Sequence, residues 1–443
     1  SKDQRIDRYL KICDWARERY TVNGFIVYYT GTESPYPCGS HGAPESAGSI
    51  TPMEFLMDTT YRTKVHHSNQ SYEEANSQAA AHGRVKMEEI IQKGLANARA
   101  VAERVQSTSL KDRIVKVDQT NIYSPDDKTW RIESDGAFAL GLHPHAFGQV
   151  VDNAGMPRKF VDEMVEQANG TRWGAELISH NFKEIFKHRP KQRNLIREEN
   201  GVAKGFLSDK FRRIDSRPLL DTFMAGCTQL GLVPIDGVGM ETKVRMRAVL
   251  PKVFEPIPNE VMIFGLEWGN SDFGDGGHVV NLWTMRVWCT NLAIANSVLR
   301  QIHLGKRLSD DIAYSDRTLQ LDTATNRSAL NDAMKHTLGA GQINLMLKSI
   351  QNASAKEING QASIDKLLKS ALTKTELEKV SDIFEGPDVV NVPEGKTQWR
   401  LSNAVSFFAQ AEGITTDRRL ELQQVAGRIA GVRDAKEATV LAV

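Results

Sequence analysis

Apolar residues recur at spacings of three and four from Met87 to Val105, taking in Ile90, Ile91, Leu95, Ala98, Val101 and Ala102. A helix turns about every 3.6 residues, so this stripe predicts one long amphipathic helix from Tyr72 to Gln106. Gly83 and Gly94 weaken that helix without breaking it. Further on, alternation with period 2 takes over. Val115 to Tyr123 and Thr129 to Glu133 flank Ser124-Pro125-Asp126-Asp127 and predict a hairpin. Three more alternating runs, Thr242 to Leu250, Val261 to Trp268 and Val279 to Trp288, predict an antiparallel meander.

Helical spacing holds on either side of the meander. Ala146 to Lys187 predicts two or three helices, parted at Gly155-Met156-Pro157 and Asn169-Gly170, because Gly follows helix ends and Pro starts them. Pro218 to Leu230 predicts another. Beyond Asn291 the chain predicts helices to its end, with one break from Gly386 to Gly395. At the other end, residues 1–29 predict a helix and a short strand, Phe25 to Tyr29, before a Gly/Ser/Pro-rich loop at 31–52. The fold class expected is α+β: a central antiparallel sheet flanked by helices, with helical N-terminal and C-terminal regions. The regions are 1–110, 111–310 and 311–443, the first boundary falling near Ser107 to Lys111. No repeat of fixed period occurs.

Composition narrows the class. With 40% hydrophobic and 25% charged residues, the 443-residue chain reads as an ordinary globular protein long enough for a sizeable core. No apolar run is long enough to span a bilayer, so no membrane partner is expected. The charged start, with helical patterning, is not a signal peptide. Cys13, Cys38, Cys227 and Cys289 are scattered, which favours a reducing cytoplasm over a disulfide framework.

Charge is unevenly spread. The net charge is +1, yet Lys183 to Arg217 holds eleven Lys or Arg against five Asp or Glu. The remainder is therefore acidic on balance. Lys243, Arg245 and Arg247 add three cations on one face of a strand. Such a stripe suits a phosphate backbone, which binds cations by releasing counterions. The candidate nucleic-acid contacts are Arg189, Lys191, Arg193, Lys210, Arg212, Arg213, Arg217, Lys243, Arg245 and Arg247, with Phe211 as a stacking platform. Phe206, Trp268, Trp283 and Trp288 are nearby aromatics. The bland alternative is a solvated charged face over an aromatic core.

Other chemistry has weaker signals. Cys289, at a strand end beside Arg286, has the setting of a nucleophile with His278 or His303 as base. The bland alternative is a small buried residue ahead of a helix capped by Asn291. His143-Pro-His145, His66-His67 and Cys38-Gly-Ser-His41 are dense ligand pairs without a second pair of suitable spacing, so structural roles are expected. Glu267, Asp272 and Asp275 crowd a Gly-rich loop that reads as a turn before it reads as a magnesium site. Gly395-Lys396-Thr397 is no phosphate loop, because the required earlier Gly is Val390.

Four blocks carry a resemblance. Arg286-x-x-Cys289-x-Asn291 follows a strand and precedes a basic exit, His303 to Arg307. Gly205 to Asp215 holds a Ser208-Asp209-x-Phe211 run. Phe147 to Met164 reads helix, Gly, Pro, helix. Thr397-Gln-Trp399 precedes Asn403-Ala404-Val405. Taken in their order along the chain, across about Ser134 to Ala411, they resemble a phage- and plasmid-borne family known mainly as a domain of unknown function. Phe211 stands where that family usually has Tyr, and the loop from Asn270 to Gly277 is longer than its usual Asp-Gly turn. The N-terminal third lies outside the resemblance.

The resemblance and the basic stripe together lead to one expectation. It is a DNA-metabolism protein that binds single-stranded DNA without strong sequence preference, in the cytoplasm of a bacterial host. It would protect or anneal strands in replication and recombination, or recruit a phage or host RNA polymerase as a transcription cofactor. No enzymatic activity and no cofactor are expected. The long amphipathic helix offers a surface for homo-oligomer formation or for a protein partner. The competing expectations are an enzyme centred on Cys289 or the Asp loop, and a host-takeover or structural protein that binds only proteins.

Overall fold

The computed structural model describes residues 75–431, apart from 127, 135, 169–170, 289–291, 302, 304–314 and 388–391. The expectations for residues 1–74, for Cys289 and Asn291 and for the basic exit after His303 lie outside the described residues. So do those for His66-His67 and the Cys38–His41 pair.

The apolar stripe does form a helix, α1 (Gln78–Ser107). Ser77 caps it, its Oγ accepting the Ala80 N–H at 3.0 Å. Met87, Ile91, Ala98, Val101 and Ala102 are buried on its inner face. A Cβ at Gly94 would sit 1.5 Å from the Ile235 carbonyl oxygen, and one at Gly83 would sit 2.5 Å from Val261. The two glycines that weaken the helix are thus what lets it lie close on a sheet. Most of the stripe packs within the chain, while Val85 on the same helix is exposed.

The strands divide between two sheets. The first contains β1 (Leu110–Lys116), β2 (Thr120–Tyr123), β3 (Trp130–Ser134), β4 (Phe138–Leu142), β5 (Arg193–Glu199) and β6 (Val202–Ser208), in the order β1-β5-β6-β4-β3-β2. Only the β4–β6 pair is parallel. The expected hairpin is β2–β3, while Val115 belongs to β1, a separate strand paired with β5. Three helices cross between β4 and β5: α2 (Pro144–Ala154), α3 (Arg158–Gln167) and α4 (Trp173–Lys187). They bury Val150, Ile178 and Phe182 against Ile122, Ile132, Leu140 and Phe206 of the sheet.

The second sheet follows α5 (Ser216–Leu230). Its strands are β7 (Val233–Gly239), β8 (Val244–Val249), β9 (Phe254–Ile257), β10 (Glu260–Asn270), β11 (His278–Arg286) and β12 (Leu292–Gln301). The order is β12-β11-β10-β8-β7, with β9 also on β10, and every pair is antiparallel. The expected meander is β8, β10 and β11. Leu292–Gln301, expected to open a helix, is a strand instead. An apolar run of this length fits either state, and pairing with the buried strand β11 decides it. Phe264 and Trp268 pack on one face of this sheet with α5, whereas Ile263 and Trp283 pack on the other with α1.

The C-terminal region is helical, as expected: α6 (Asp316–Thr337), α7 (Ala340–Ala355), α8 (Gln361–Leu368), α9 (Lys374–Glu385), α10 (Gln398–Phe408) and α11 (Thr416–Ile429). Leu330, Met334 and Met346 extend the core around Trp268. Most of the remaining helices share a core of their own around Phe384, Leu401 and Val405. Between Ser107 and Leu110 the chain passes from α1, on the second sheet, to β1 in the first.

Candidate nucleic-acid interface

An Asn-Gly turn builds the site. Asn200 and Gly201 both have positive φ, 51° and 79°, the condition for a two-residue hairpin turn between β5 and β6. The register pairs Glu199 with Val202 and Asn194 with Ser208. At the open end of the hairpin, the chain entering β5 therefore lies beside the chain leaving β6. The turn after α4 supplies His188, Arg189 and Lys191 there, Arg193 opens β5, and Lys210 follows the end of β6. Asn153, near the end of α2, closes a third side. The result is an open cleft of about 570 Å³ that these residues line.

The cleft is cationic. Arg189, Lys191, Arg193 and Lys210 stand against one carboxylate, Asp209. Lys191 and Lys210 are exposed. Arg189 donates to the carbonyl oxygens of Asn153 at 2.6 Å and Ala154 at 3.3 Å, so it also satisfies the end of α2. Arg193 meets Asp209 at 3.5 Å. The amides are engaged with one another. Gln192 Nε2 donates to Asn153 Oδ1 at 2.8 Å and to Asn194 Oδ1 at 3.1 Å, and Asn194 Nδ2 donates to the Leu207 carbonyl at 3.0 Å.

The other sequence-derived cations are not in the cleft. Arg212 forks onto Asp322 of α6, with its Nε 2.8 and 2.9 Å from the two carboxylate oxygens. Arg213 pairs with Asp112 at 2.8 Å, and Arg217 donates to the Gln106 carbonyl at the end of α1. Lys243 sits between Asp275 at 3.3 Å and Asp417 at 2.6 Å. Arg245 and Arg247 share the buried Glu267 at 3.3 and 2.8 Å, and Arg247 also reaches Asp236 at 3.3 Å and Gln423 at 3.0 Å. Arg245 and Arg247 share a face of β8, Lys243 immediately precedes that strand, and all three are paired with carboxylates.

The aromatics correct the sequence picture in the same way. Phe206, Trp268 and Trp283 are core residues, each 3% exposed or less. The half-buried Phe211 ring stacks on His303 at 4.8 Å and 6°, with the Arg197 guanidinium 6.0 Å from its centre. Arg212 N–H donates to the His303 carbonyl at 3.0 Å, and His303 Nδ1 lies 2.9 Å from the Arg212 carbonyl. Phe211 is part of a joint between β6 and the end of β12.

Beneath that joint is a buried ionic knot. Arg197, 1% exposed, donates to Asp112 at 2.9 Å, Asp215 at 2.7 Å and the Asp272 carbonyl at 2.9 Å. Burial works against its charge, but Asp215, Asp112 and Asp272 hold its pKa above the usual arginine value. Burial pushes the Asp272 carboxyl up to about 6, against the opposing pull of Arg197. Asp272 Oδ1 accepts the Ser216 N–H at the start of α5, at 2.7 Å. Burial also lowers His303, and it takes His278 down to about 4.

The alternative chemistries are separated in space. His143 Nδ1 accepts the His145 N–H at 3.1 Å while its Nε2 meets Glu241, and His145 Nε2 lies 3.1 Å from the Phe273 carbonyl oxygen. The carboxylates grouped in the sequence turn to different partners: Glu267 to Arg247, Asp272 to Ser216, and Asp275 to Thr242 at 2.5 Å. Among the described residues, no three His, Cys, Asp or Glu side chains gather where a metal would be held. Cys227 is fully buried, and burial raises its thiol well above the usual range. Lys396 bonds Glu385 at 2.6 Å, and Thr397 caps α10.

Asn153, His188 and Gln192 line the cleft but were not singled out from the sequence. A signal was present: Asn200-Gly201 between two runs of β-forming residues predicts the β5–β6 hairpin, and with it the meeting of 191–193 with 208–210. The chain matches no family model, no curated protein and no solved structure.

Proposed function

We propose that this protein binds single-stranded DNA through the cleft at the open end of the β5–β6 hairpin. The observation that carries the reading is the convergence of Arg189, Lys191, Arg193 and Lys210 from two chain segments on one open cavity. Cations at the rim of a concave surface attract a phosphate backbone whatever its bases. Sequence readout would need side-chain amides or guanidinium forks aimed at base edges. Here Gln192 Nε2 is held by Asn153 and Asn194, and Asn194 Nδ2 by the Leu207 carbonyl, which favours binding without strong sequence preference. The block resemblance to phage- and plasmid-borne proteins suggests the setting: strand protection or annealing in replication and recombination, or polymerase recruitment in transcription. The protein acts as a binding protein in this reading, with no catalytic step assigned.

Fluorescence anisotropy of labelled single-stranded and duplex oligonucleotides across a salt series tests this. The expected result is salt-sensitive binding that favours the single strand. No binding to either at low salt would refute it.

A further inference from the structure

We propose that the bound strand continues from the cleft along the outer face of α4 and stacks a base on Trp173. This rests on the cleft being a single-strand site and extends it to a second contact. Trp173 is 47% exposed, whereas Trp130, Trp268, Trp283 and Trp399 are each 8% exposed or less. Leu177, one turn on, is 39% exposed, and Phe160 on the neighbouring α3 is 38% exposed. Trp173 and Leu177 are thus two large apolar side chains left in water one turn apart on the same helix.

Helix geometry connects this patch to the cleft. At about 100° per residue, Leu177, His180, Glu184 and Lys187 all lie within roughly 40° of Trp173 around the helix. They form one face that ends at Lys187, next to His188 and Arg189 of the cleft wall. From Trp173 to Lys187 the axis runs about 21 Å. At about 3.4 Å per stacked nucleotide, that length accommodates about six, and fewer if the strand is stretched.

An exposed indole at one end of a track with cations at the other is how unpaired strands are held without sequence preference. Any base presents a flat face to stack, and the cations follow the backbone. Arg172 flanks the indole, and exposed Lys183 and Lys187 lie between it and the cleft. Two carboxylates oppose the path. Glu176 lies 3.8 Å from Arg172 and Glu184 lies 3.6 Å from Lys187, so each is partly offset by a neighbouring cation.

The test uses the full chain with oligothymidylates of about four and about sixteen nucleotides, following anisotropy and tryptophan emission together. The long oligonucleotide should quench emission, and Trp173→Phe should remove that change while keeping most of the affinity. Trp173→Ala should weaken the long oligonucleotide roughly 5- to 150-fold and leave the short one unaffected. Glu184→Gln should tighten the long one alone. Equal affinity and equal quenching in wild type and Trp173→Ala, with Lys191→Glu still weakening binding, would overturn the path and leave the cleft reading standing. Emission that follows protein concentration instead of oligonucleotide would mean that a second copy covers the patch, which also overturns the path. Failure of the wild type to bind either length would refute both.

Discussion

Arg247 donates its Nε–H to Glu267 at 2.8 Å between the neighbouring strands β8 and β10, and the carboxylate it meets is fully buried. Arg245 approaches the other oxygen at 3.3 Å, and Asn281 donates to that oxygen at 3.0 Å. Burial alone would raise the Glu267 carboxyl. Arg247 and Arg245 more than offset this and hold it below the ordinary range. Removing one member of such a group leaves an uncompensated buried charge, so Glu267→Gln should cost about 3–5 kcal/mol in urea unfolding. A carboxyl lowered on folding contributes stability above its unfolded pKa of about 4.3 and loses it as pH falls through the folded value. The variant should lack that part of the acid destabilisation. A variant as stable as wild type would show that the cluster is not a structural pair.

The cleft and the paired face should separate in binding experiments. Lys191→Gln and Lys210→Gln should each weaken single-strand binding alike for all sequences, and each should flatten the slope of log K against log salt by about 0.7. Arg245→Gln should lower stability and leave that slope unchanged, because its partner is Glu267. A flatter slope in Arg245→Gln, with none in Lys191→Gln, would move the interface to the second sheet.

Asp272 and His278 should oppose each other in acid. Asp272 rises from 3.8 to about 6 on folding, mainly through burial. A raised carboxyl contributes stability that is present below its unfolded pKa and is lost as pH rises through about 6. His278 falls from 6.5 to about 4, again through burial, so its contribution is present above 6.5 and is lost as pH falls toward 4. Each shift is worth about 3 kcal/mol at about 1.4 kcal/mol per pH unit, and the two largely cancel between pH 4 and 6. Asp272→Asn should therefore unmask a loss of stability on acidification in that window, and His278→Gln a gain. Thermal unfolding at several pH values reads this directly, and parallel curves for wild type and both variants would be the contrary result.

Gly94→Ala should destabilise the protein although alanine favours a helix by about 1 kcal/mol. The added methyl would meet the Ile235 carbonyl oxygen at 1.5 Å, so α1 would have to leave β7. A net cost of about 1–3 kcal/mol is expected from overpacking. Denaturant midpoints check it, and a gain in stability would mean that α1 does not lie on the sheet so closely.

The sequence alone determined the period of each segment and hence much of the secondary structure. The α1 stripe, the break at Gly155–Pro157, the β2–β3 hairpin and the runs that became β8, β10 and β11 were legible because side-chain periodicity records which face of an element is apolar. It also marked 183–217 as basic, and part of that run lines the cleft. Tertiary structure decided the rest. Leu292–Gln301 became a strand because β11 offered a ladder, a partner that no local pattern names. The charged residues were sorted in the same way. Arg212 meets Asp322 and Arg247 meets Gln423 across 110 and 176 positions of chain, so their engagement is invisible in any window of sequence. Lys191 and Lys210 are exposed, with no ion pair among the described residues. The charge of a residue is written in its side chain, but whether that charge is free for a ligand depends on which distant segment packs beside it.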